Sequence, residues 1–352
     1  MSNWTEYLAS KGARFHIDEA TQVEDFGRTL TKDALAAGFV APVTDLGLIA
    51  VAGDDAAAFL HNQLTNDVEH LGNNEARLAG YCTPKGRLQA TFLMWRDEQA
   101  VYLQLPRAIQ APLQKRLSMF VLRAKAKLRD ATEEDAYAAV LGFGGARAEA
   151  VLRAQVGALP AAPYGKTSGD KGTVLRLADA FGAPRYLLLT SSAAAQAVFE
   201  AAAGELALGG AQAWHLAAIH AGVPQVTQPT QEQFVPQMVN LELLGGVNFK
   251  KGCYPGQEIV ARSQYLGKLK RRTALATVEN AAARAGDEVF STNDPAQPCG
   301  MVVNAAPNGQ GGADLLVEMK LAALGEDVRF GSATGPALRF MPLPYQLDAL
   351  DV

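Results

Sequence analysis

Hydrophobic and polar residues in the first two thirds of the chain alternate in patterns that predict strands and helices in a regular order. The aliphatic run LGLIAVAG at 46–53 predicts a strand that ends at a glycine. Asp54 or Asp55 can then cap a helix that runs to Leu64. The elements that follow are a hairpin at 86–106 with its turn at 96–99, a helix at 107–120 and a strand at about 124–132. Strand, helix, hairpin, helix and strand is the order of a ferredoxin-like unit.

The same order of elements recurs farther along the chain. It consists of a strand at 136–144, a helix at 146–157, a hairpin at 173–190 and a helix at 191–205. We therefore predict two similar α+β units in tandem, at about 45–132 and 136–212. No sequence identity between the two units supports a duplication, and an accidental recurrence stays open.

The last third of the chain has a different pattern. Residues 214–267 contain many loop residues and few strand signals. Short β segments follow Arg272 and predict a small barrel or sandwich. AQAWHLAAIHAG, around Trp214, reads as the start of a helix, where the tryptophan either belongs to the core or stacks on a flat heteroaromatic ligand.

Composition and charge narrow the class of protein. Of the 352 residues 19% are charged and 49% hydrophobic, as in ordinary globular proteins, and no apolar run approaches the roughly 20 residues of a membrane span. The acidic N-terminus lacks the apolar centre of a signal peptide, which predicts a cytoplasmic protein. A net charge of −4 argues against direct nucleic-acid binding. Three widely spaced cysteines and five histidines without an HExxH pattern predict no stable metal site.

One short segment, KKGCYPGQE at 250–258, carries the strongest chemical signal. Cys253 lies just ahead of a predicted helix and beside Lys250 and Lys251, and both features favour the thiolate form. Only Glu258 opposes the basic residues of this region, which are Lys250, Lys251, Arg262, Lys268, Lys270, Arg271 and Arg272. The segment is either a reactive anion-binding loop, the interpretation we favour, or a solvated helix end with a structural cysteine.

Four stretches of the chain resemble the YgfZ family, the folate-binding branch related to the T-protein (aminomethyltransferase) of glycine cleavage. They are FLHNQLTNDV at 59–68, CTPKGRL at 82–88, QFVPQMVNLELLGGVNFKKGCYPGQEIVAR at 233–262 and PLPY at 342–345. The resemblance covers about residue 40 to the C-terminus. It implies three subdomains around a central cavity for tetrahydrofolate or another reduced folate. It also implies support for iron–sulfur client enzymes or cluster-assembly proteins, including a radical enzyme that methylthiolates tRNA.

The resemblance assigns domains and site residues. The division is an N-terminal extension at 1–40, a first folate-binding subdomain at 41–135 and 213–265, a second α+β subdomain at 136–212 and a C-terminal β-barrel at 266–352. The signature lysine and cysteine, with the catalytic role, are Lys251 and Cys253. The folate contacts are Trp214, Tyr254, Gln257, Glu258, His220 and Arg262.

Three positions depart from the family pattern. Ala90, with Gln89 before it, stands where the T-protein carries its catalytic aspartate. His220 stands in IHAGVP where relatives carry a glutamate, and Leu46 where some bacterial relatives have a second tryptophan. Without the aspartate, no turnover reaction can be assigned.

These residues leave three hypotheses for the function. The first is a folate-binding accessory factor for iron–sulfur proteins, in which the Cys253 thiolate attacks a disulfide, captures a one-carbon fragment or transiently ligates a cluster. The second is a folate-dependent one-carbon (aminomethyl) transferase, which Ala90 argues against. The third is a non-enzymatic scaffold that binds partner proteins or RNA through the basic 262–272 segment.

Overall fold

The computed structural model describes residues 3–17, 21–266 and 269–347. The N-terminal segment folds onto the second of two α+β units, where Trp4 and Leu8 join its core. Its elements are α1 (Asn3–Ser10), β1 (Arg14–Phe15), β2 (Val23–Asp25), α2 (Lys32–Ala37) and β3 (Phe39–Pro42). The Thr31 hydroxyl caps α2 by accepting a hydrogen bond from the backbone N–H of Ala34.

The first unit contains the predicted elements and one additional strand. Its elements are β4 (Leu46–Ala52), α3 (Ala56–His61), β5 (Ala76–Cys82), β6 (Leu88–Arg96), β7 (Val101–Pro106), α4 (Arg107–Ser118) and β8 (Lys127–Asp130). The antiparallel sheet has the order β5-β6-β7-β4-β8, which is the ferredoxin-like order with β5 added at one edge. Helix α3 is shorter than predicted, and the Asp55 carboxylate accepts from the backbone N–H of Lys125 at 2.7 Å instead of capping the helix.

The second unit repeats the order but includes a strand from outside it. Its elements are β9 (Ala139–Gly144), α5 (Ala148–Val156), β10 (Lys166–Gly169), β11 (Gly172–Ala180), β12 (Ala183–Thr190), α6 (Ser192–Ala203) and β13 (Ala207–Leu208). The sheet has the order β10-β11-β12-β9-β3-β13. Strand β3 is antiparallel to β9 and parallel to β13, so the N-terminal segment completes this sheet.

Two helices and several short turns connect this unit to the last sheet. Helix α7 (Ala211–His220) packs against β2, β3, β11, β16 and β17. Helix α8 (Gln257–Tyr265) follows the loop at 250–256, called the cysteine loop because it contains Cys253. Short 3₁₀ turns lie at Gln228–Thr230 and Pro236–Val239. Among the described residues between 209 and 270 there is no strand, as the sequence predicts.

The C-terminal sheet curls into a small barrel. Its strands are β14 (Arg271–Val278), β15 (Glu288–Ser291), β16 (Asp294–Pro307), β17 (Ala313–Lys320), β18 (Val328–Phe330) and β19 (Leu338–Met341). They have the order β18-β15-β16-β17-β14-β19, and the two edges meet where Arg329 pairs with Ala337. The three sheets confirm the predicted fold class, whereas the exact domain boundaries stay a prediction.

The hydrophobic core lies in layers around the centre of the molecule. The first sheet packs one face against α3 and α4, and turns residues such as Leu78 and Trp95 toward a central core that all three sheets share. No helix in the described parts of the chain has both the length and the apolar character to cross a bilayer.

Candidate functional site

A cavity of about 250 Å³ remains inside the central core. It lies between α7 and the three sheets, and most of its wall is apolar. Its polar lining groups include Thr91, Gln104, Tyr164, Arg185, His215 and Asn304. A largely apolar cavity with a few convergent polar groups is the usual form of a small-molecule site.

Trp214 forms part of the cavity wall and is 5% exposed. It packs against Gly142 of β9, where an added Cβ would lie only 2.3 Å from Cε3 of the indole. Glycine is therefore needed here for a close approach, since a larger residue would displace the ring. The ring is buried in the core and also lines the cavity, so contact with a ligand stays a prediction.

Arg185 of β12 is the most unusual lining residue. It is 2% exposed, and its guanidinium lies 5.1 Å from the centre of the Trp214 ring. Its Nε donates to the carbonyl oxygen of Ala178 at 3.0 Å, while its buried Nη1 has no partner in the described chain. Burial lowers the pKa of Arg185 to about 10, so the side chain stays charged at neutral pH.

A half-buried histidine of the same wall, His215, pairs with the carboxylate of Asp45. Nε2 of His215 is 2.5 Å from Oδ2 of Asp45, whose Oδ1 has no partner among the described residues. Burial alone would lower the pKa of His215, but the charge and hydrogen bond of Asp45 outweigh it and raise the pKa. The pair therefore favours the protonated form of His215 at the cavity, next to its own carboxylate.

Tyr164 reaches the cavity from a strained position. Its backbone is in the left-handed region, with φ of 60°, which is uncommon for a residue with a bulky side chain. Its backbone N–H donates to Arg176 and its carbonyl accepts from Ala76, so the residue joins the two units. Such strain persists where surrounding contacts enforce it, and it is concentrated at functional sites.

Leu46 and His220, two of the residues that depart from the family pattern, differ in their location relative to the cavity. Leu46 lines the cavity, at the place that the resemblance gives to a second tryptophan. His220 is not among the lining residues in the described chain, because its Nε2 lies 2.6 Å from Oδ2 of Asp314 and its ring packs on Phe181.

The cysteine loop forms a separate site on the first unit. Gly256 adopts φ of 81°, and an added Cβ would lie 2.4 Å from the carbonyl oxygen of Thr83, so the loop needs glycine to pack against the turn after β5. Cys253 is exposed just before α8 begins at Gln257. The predicted helix is present and ends at Tyr265.

Lys251 is held beside the thiol by several contacts. Its Nζ donates to the carbonyl oxygens of Leu64 and Gly252, each at 3.1 Å, and lies 4.7 Å from the centre of the Tyr254 ring. Burial lowers the pKa of Lys251 to about 8, against the opposing charges of Asp67, Cys253 and Glu69. A lysine with this pKa can hold or release a proton near neutral pH.

A histidine also faces the loop. His61 at the end of α3 is hydrogen-bonded through Nδ1 to Asp67 at 3.1 Å. Its Nε2 lies 3.7 Å from the position that a Cβ on Gly252 would take. Gly252, the residue before Cys253, therefore lies next to an imidazole whose orientation is fixed by Asp67.

The other predicted contact residues lie around this loop. Tyr254 is buried, and its hydroxyl has no partner in the described chain. Glu258 and Arg262 are exposed on α8, and Gln257 is half-buried. None of the residues from 250 to 262, all of which the structure describes, lines the cavity.

The basic region is less uniform than the sequence suggests. Arg271 pairs with Glu318 and Arg272 with Glu242, so two of its seven cations are neutralised within the protein. Lys268 lies outside the described residues. No group of three or more His, Cys, Asp or Glu residues within the described ranges is arranged to hold a metal ion.

Sequence reasoning missed Arg185 and Gly142. The signal for Arg185 was present in APRYLLLT, where one arginine shares a strand face with Leu187 and Leu189 of the central core. Gly142 gave no local signal, because its need for glycine comes from Trp214, which is distant in the sequence.

Comparisons with known proteins agree with this architecture. The tRNA-modifying protein YgfZ of Klebsiella pneumoniae is 31% identical over 313 residues, covering 86% of this chain and 92% of the relative. The protein of the same name from Edwardsiella ictaluri is 31% identical over 306 residues, covering 85% and 90%. The one from Escherichia coli O45:K1 is 29% identical over 308 residues, covering 86% and 92%.

A solved structure shows the same fold. Aminomethyltransferase T of the glycine cleavage system from Bartonella henselae matches with a TM-score of 0.77 at 17% identity, covering 96% of each chain. No family model matches the sequence. Identity above 30% over most of both chains is decisive, and the chain belongs to the YgfZ family.

Proposed function

We propose that this protein binds tetrahydrofolate or another reduced folate in the central cavity. We further propose that it supports the assembly or repair of iron–sulfur proteins through the reactive thiol of Cys253. The tRNA-modifying role in the names of its relatives then arises indirectly, through iron–sulfur enzymes that methylthiolate tRNA.

The observation that carries the folate proposal is the pairing of Trp214 and Arg185 in one apolar cavity. A pterin is flat and carries a ring oxygen, and the tail of folate ends in carboxylates. The indole suits the ring, and the unpartnered Nη1 of Arg185 suits an oxygen acceptor. Folate supplies one-carbon and redox chemistry when bound, while Trp214, Arg185 and Gln104 would bind and orient it.

The surroundings of Cys253 support a reactive thiol. The thiol is exposed, and the ammonium of Lys251, two residues before it, is held by the carbonyl oxygens of Leu64 and Gly252. Because residues 250–262 do not line the cavity, direct transfer of a one-carbon unit from folate to Cys253 is the least supported of the three chemistries. Attack on a disulfide, or transient ligation of a cluster, needs only an exposed thiolate.

The two alternative functions receive less support. Ala90 is fully buried in the core between the first sheet and its helices, so the position of the transferase aspartate lacks a carboxylate and faces away from the central core. The 262–272 segment loses two cations to internal ion pairs, which weakens the case for RNA binding.

Titration with tetrahydrofolate tests the first part of the proposal. We expect the tryptophan fluorescence of the wild type to change on binding, and that change to be lost in Trp214→Phe. Trp4→Phe, which alters a tryptophan in the N-terminal helix, is the matched control and should keep the response. No response in the wild type would refute folate binding.

Complementation tests the second part. In a strain that lacks the protein, Cys253→Ser should fail to restore iron–sulfur enzyme activities, whereas Cys299→Ser, which alters a buried thiol in the barrel, should restore them. Full rescue by Cys253→Ser would exclude a reactive role for this thiol.

A further inference from the structure

We propose that Arg185 anchors the ligand of the central cavity and selects one that presents an oxygen acceptor beside a flat aromatic ring. This inference rests on the proposed function, because it requires that the cavity binds a ligand. It adds the chemical groups by which the ligand is recognised. It concerns a residue outside the signature loop.

The first support is a buried charge that forms no direct ion pair within the described chain. A buried guanidinium is strongly unfavourable unless it is paired and hydrogen-bonded. The carboxylate of Asp179 is engaged by Arg176 at 3.1 Å, and that of Asp45 by His215. No described carboxylate forms an ion pair with Arg185, which is left with a single hydrogen bond to Ala178 and a bare Nη1.

The second support is the direction of the side chain. Arg185 lies on the same face of β12 as Leu187 and Leu189, both of which belong to the central core, and it lines the cavity. The missing partner therefore has to reach Arg185 through the cavity. A carboxylate or ring carbonyl on a small molecule is such a partner.

The third support is the shape of the group. The guanidinium is planar and held over the Trp214 ring, and its N–H groups form a fork that matches a carboxylate or an amide-like ring edge. The same wall holds Tyr164, whose pKa burial raises to about 12, so its hydroxyl is neutral and can also donate. These groups together favour an acceptor-bearing aromatic ligand over an aliphatic one.

A purely structural role for Arg185 makes the opposite prediction for the ligand-free protein. If the arginine serves only to pack on Trp214 and to bind Ala178, removing it should destabilise the fold. If Arg185 instead serves to bind a ligand, a neutral side chain of similar length should leave the stability of the ligand-free protein unchanged or raise it. The cost of burying a lone charge then disappears.

The test therefore combines stability with binding. Arg185→Met removes the charge, Arg185→Lys keeps it without the planar fork, and Arg153→Met on the surface of α5 is the control. Thermal unfolding is measured without ligand. Binding is measured calorimetrically with tetrahydrofolate, with 6-methylpterin and with p-aminobenzoylglutamate, since the last two separate the ring from the carboxylate-bearing tail.

We expect Arg185→Met to keep or raise the melting temperature and to weaken tetrahydrofolate binding by roughly tenfold to a hundredfold, the usual effect of losing a charge-assisted hydrogen bond in a dry site. Arg185→Lys should be intermediate, and Arg153→Met unchanged. The fragment whose affinity falls in Arg185→Met identifies the ring oxygen or the tail carboxylate as the acceptor.

The remaining outcomes separate the anchoring role of Arg185 from the proposal that the ligand is a folate. A fall in melting temperature of more than about 5 °C, beyond that of a surface substitution, or unchanged binding by Arg185→Met, overturns the anchoring role. If the wild type ignores tetrahydrofolate but binds either fragment through Arg185, the folate proposal fails and the anchoring role stands. If it binds none of the three, both fail.

Discussion

The imidazole of His215 and the carboxylate of Asp45, 170 residues apart in the sequence, form a hydrogen bond of 2.5 Å at the wall of the central cavity. The bond ties α7 to the residue that precedes the first strand of the first unit. Because both groups are largely buried, their ionisation is coupled to folding.

The stability contributed by this pair should depend on pH within a definite window. The pKa of His215 is raised in the folded state, so its contribution is complete below about pH 6.5 and is lost as the pH rises through the folded value. The pKa of Asp45 is lowered despite its burial, so its contribution is lost as the pH falls below about 4. We expect Asp45→Asn to cost about 1–3 kcal/mol between these limits, and less once the pH has risen through the folded-state pKa of His215. Urea unfolding from pH 4 to pH 9 measures this, and a constant difference would contradict it.

The three thiols should react very differently in the native protein. Cys253 is exposed, whereas burial raises the pKa of Cys82 to about 12 and also raises that of Cys299. We expect iodoacetamide at pH 7.5 to modify Cys253 alone, at least about a hundredfold faster than either buried thiol. Mass spectrometry of timed samples measures the rates. All three should react in urea, and rapid native labelling of Cys253→Ser would show the assignment to be wrong.

Lys251 should be an unusually reactive amine. With a pKa of about 8, roughly a quarter of it is neutral at pH 7.5, against about one in a thousand for an ordinary lysine. Competitive acetylation should therefore label Lys251 about tenfold faster than its exposed neighbour Lys250, even though Lys251 is half-buried. Equal labelling of the two residues would mean that the amine is not perturbed.

Restoring a carboxylate at position 90 should damage the fold instead of creating a transferase. Ala90 is fully buried among apolar residues of the first sheet and its helices. An unpaired carboxylate there should cost about 3 kcal/mol or more, so we expect Ala90→Asp to lower the midpoint of denaturant unfolding strongly. Ala90→Ser, which adds only a hydroxyl, should cost less. A stable Ala90→Asp protein that turned over an aminomethyl donor would revive the transferase hypothesis.

The cavity wall should be sensitive to a single methyl group behind Trp214. In Gly142→Ala the new Cβ would lie within about 3 Å of three atoms of the indole, which must move. We expect a shifted tryptophan emission and weaker tetrahydrofolate binding, with a loss of stability of about 1–3 kcal/mol from overpacking. Gly169→Ala at the exposed end of β10, where no atom lies within 4 Å of the added Cβ, controls for the general cost of replacing glycine.

Local patterns predicted the parts of the fold that depend on local sequence. The hairpins of β6 with β7 and of β11 with β12 follow from alternating hydrophobic positions and short turns, and the barrel strands from their spacing. The pattern did not predict β5, β18 or the role of β3, because the pairing partner of a strand depends on distant residues. The seven cations from 250 to 272 were overcounted for the same reason, since Glu318 and Glu242 lie far along the chain or outside the segment.

The candidate site likewise has one part that the sequence predicted and one part that it did not. The loop around Cys253 was recognisable because its glycines, lysines and thiol are contiguous. The cavity was not, because Arg185, Trp214 and Gly142 come from three elements that meet only in the folded protein. The folate contacts assigned to Tyr254, Gln257, Glu258, His220 and Arg262 stay predictions, and none of these residues, all within the described ranges, lines the cavity.

The insertion of β3 between β9 and β13 has a consequence for biosynthesis. The sheet of the first unit uses residues 46–130 alone, so it can form while later codons are still being read. Strand β3 is made before that unit, but its first neighbour β9 ends only at residue 144 and its second neighbour β13 only at residue 208. Until β9 has been made, the nascent chain carries an apolar strand without a sheet partner, and slow translation of this stretch would prolong the exposure of that strand.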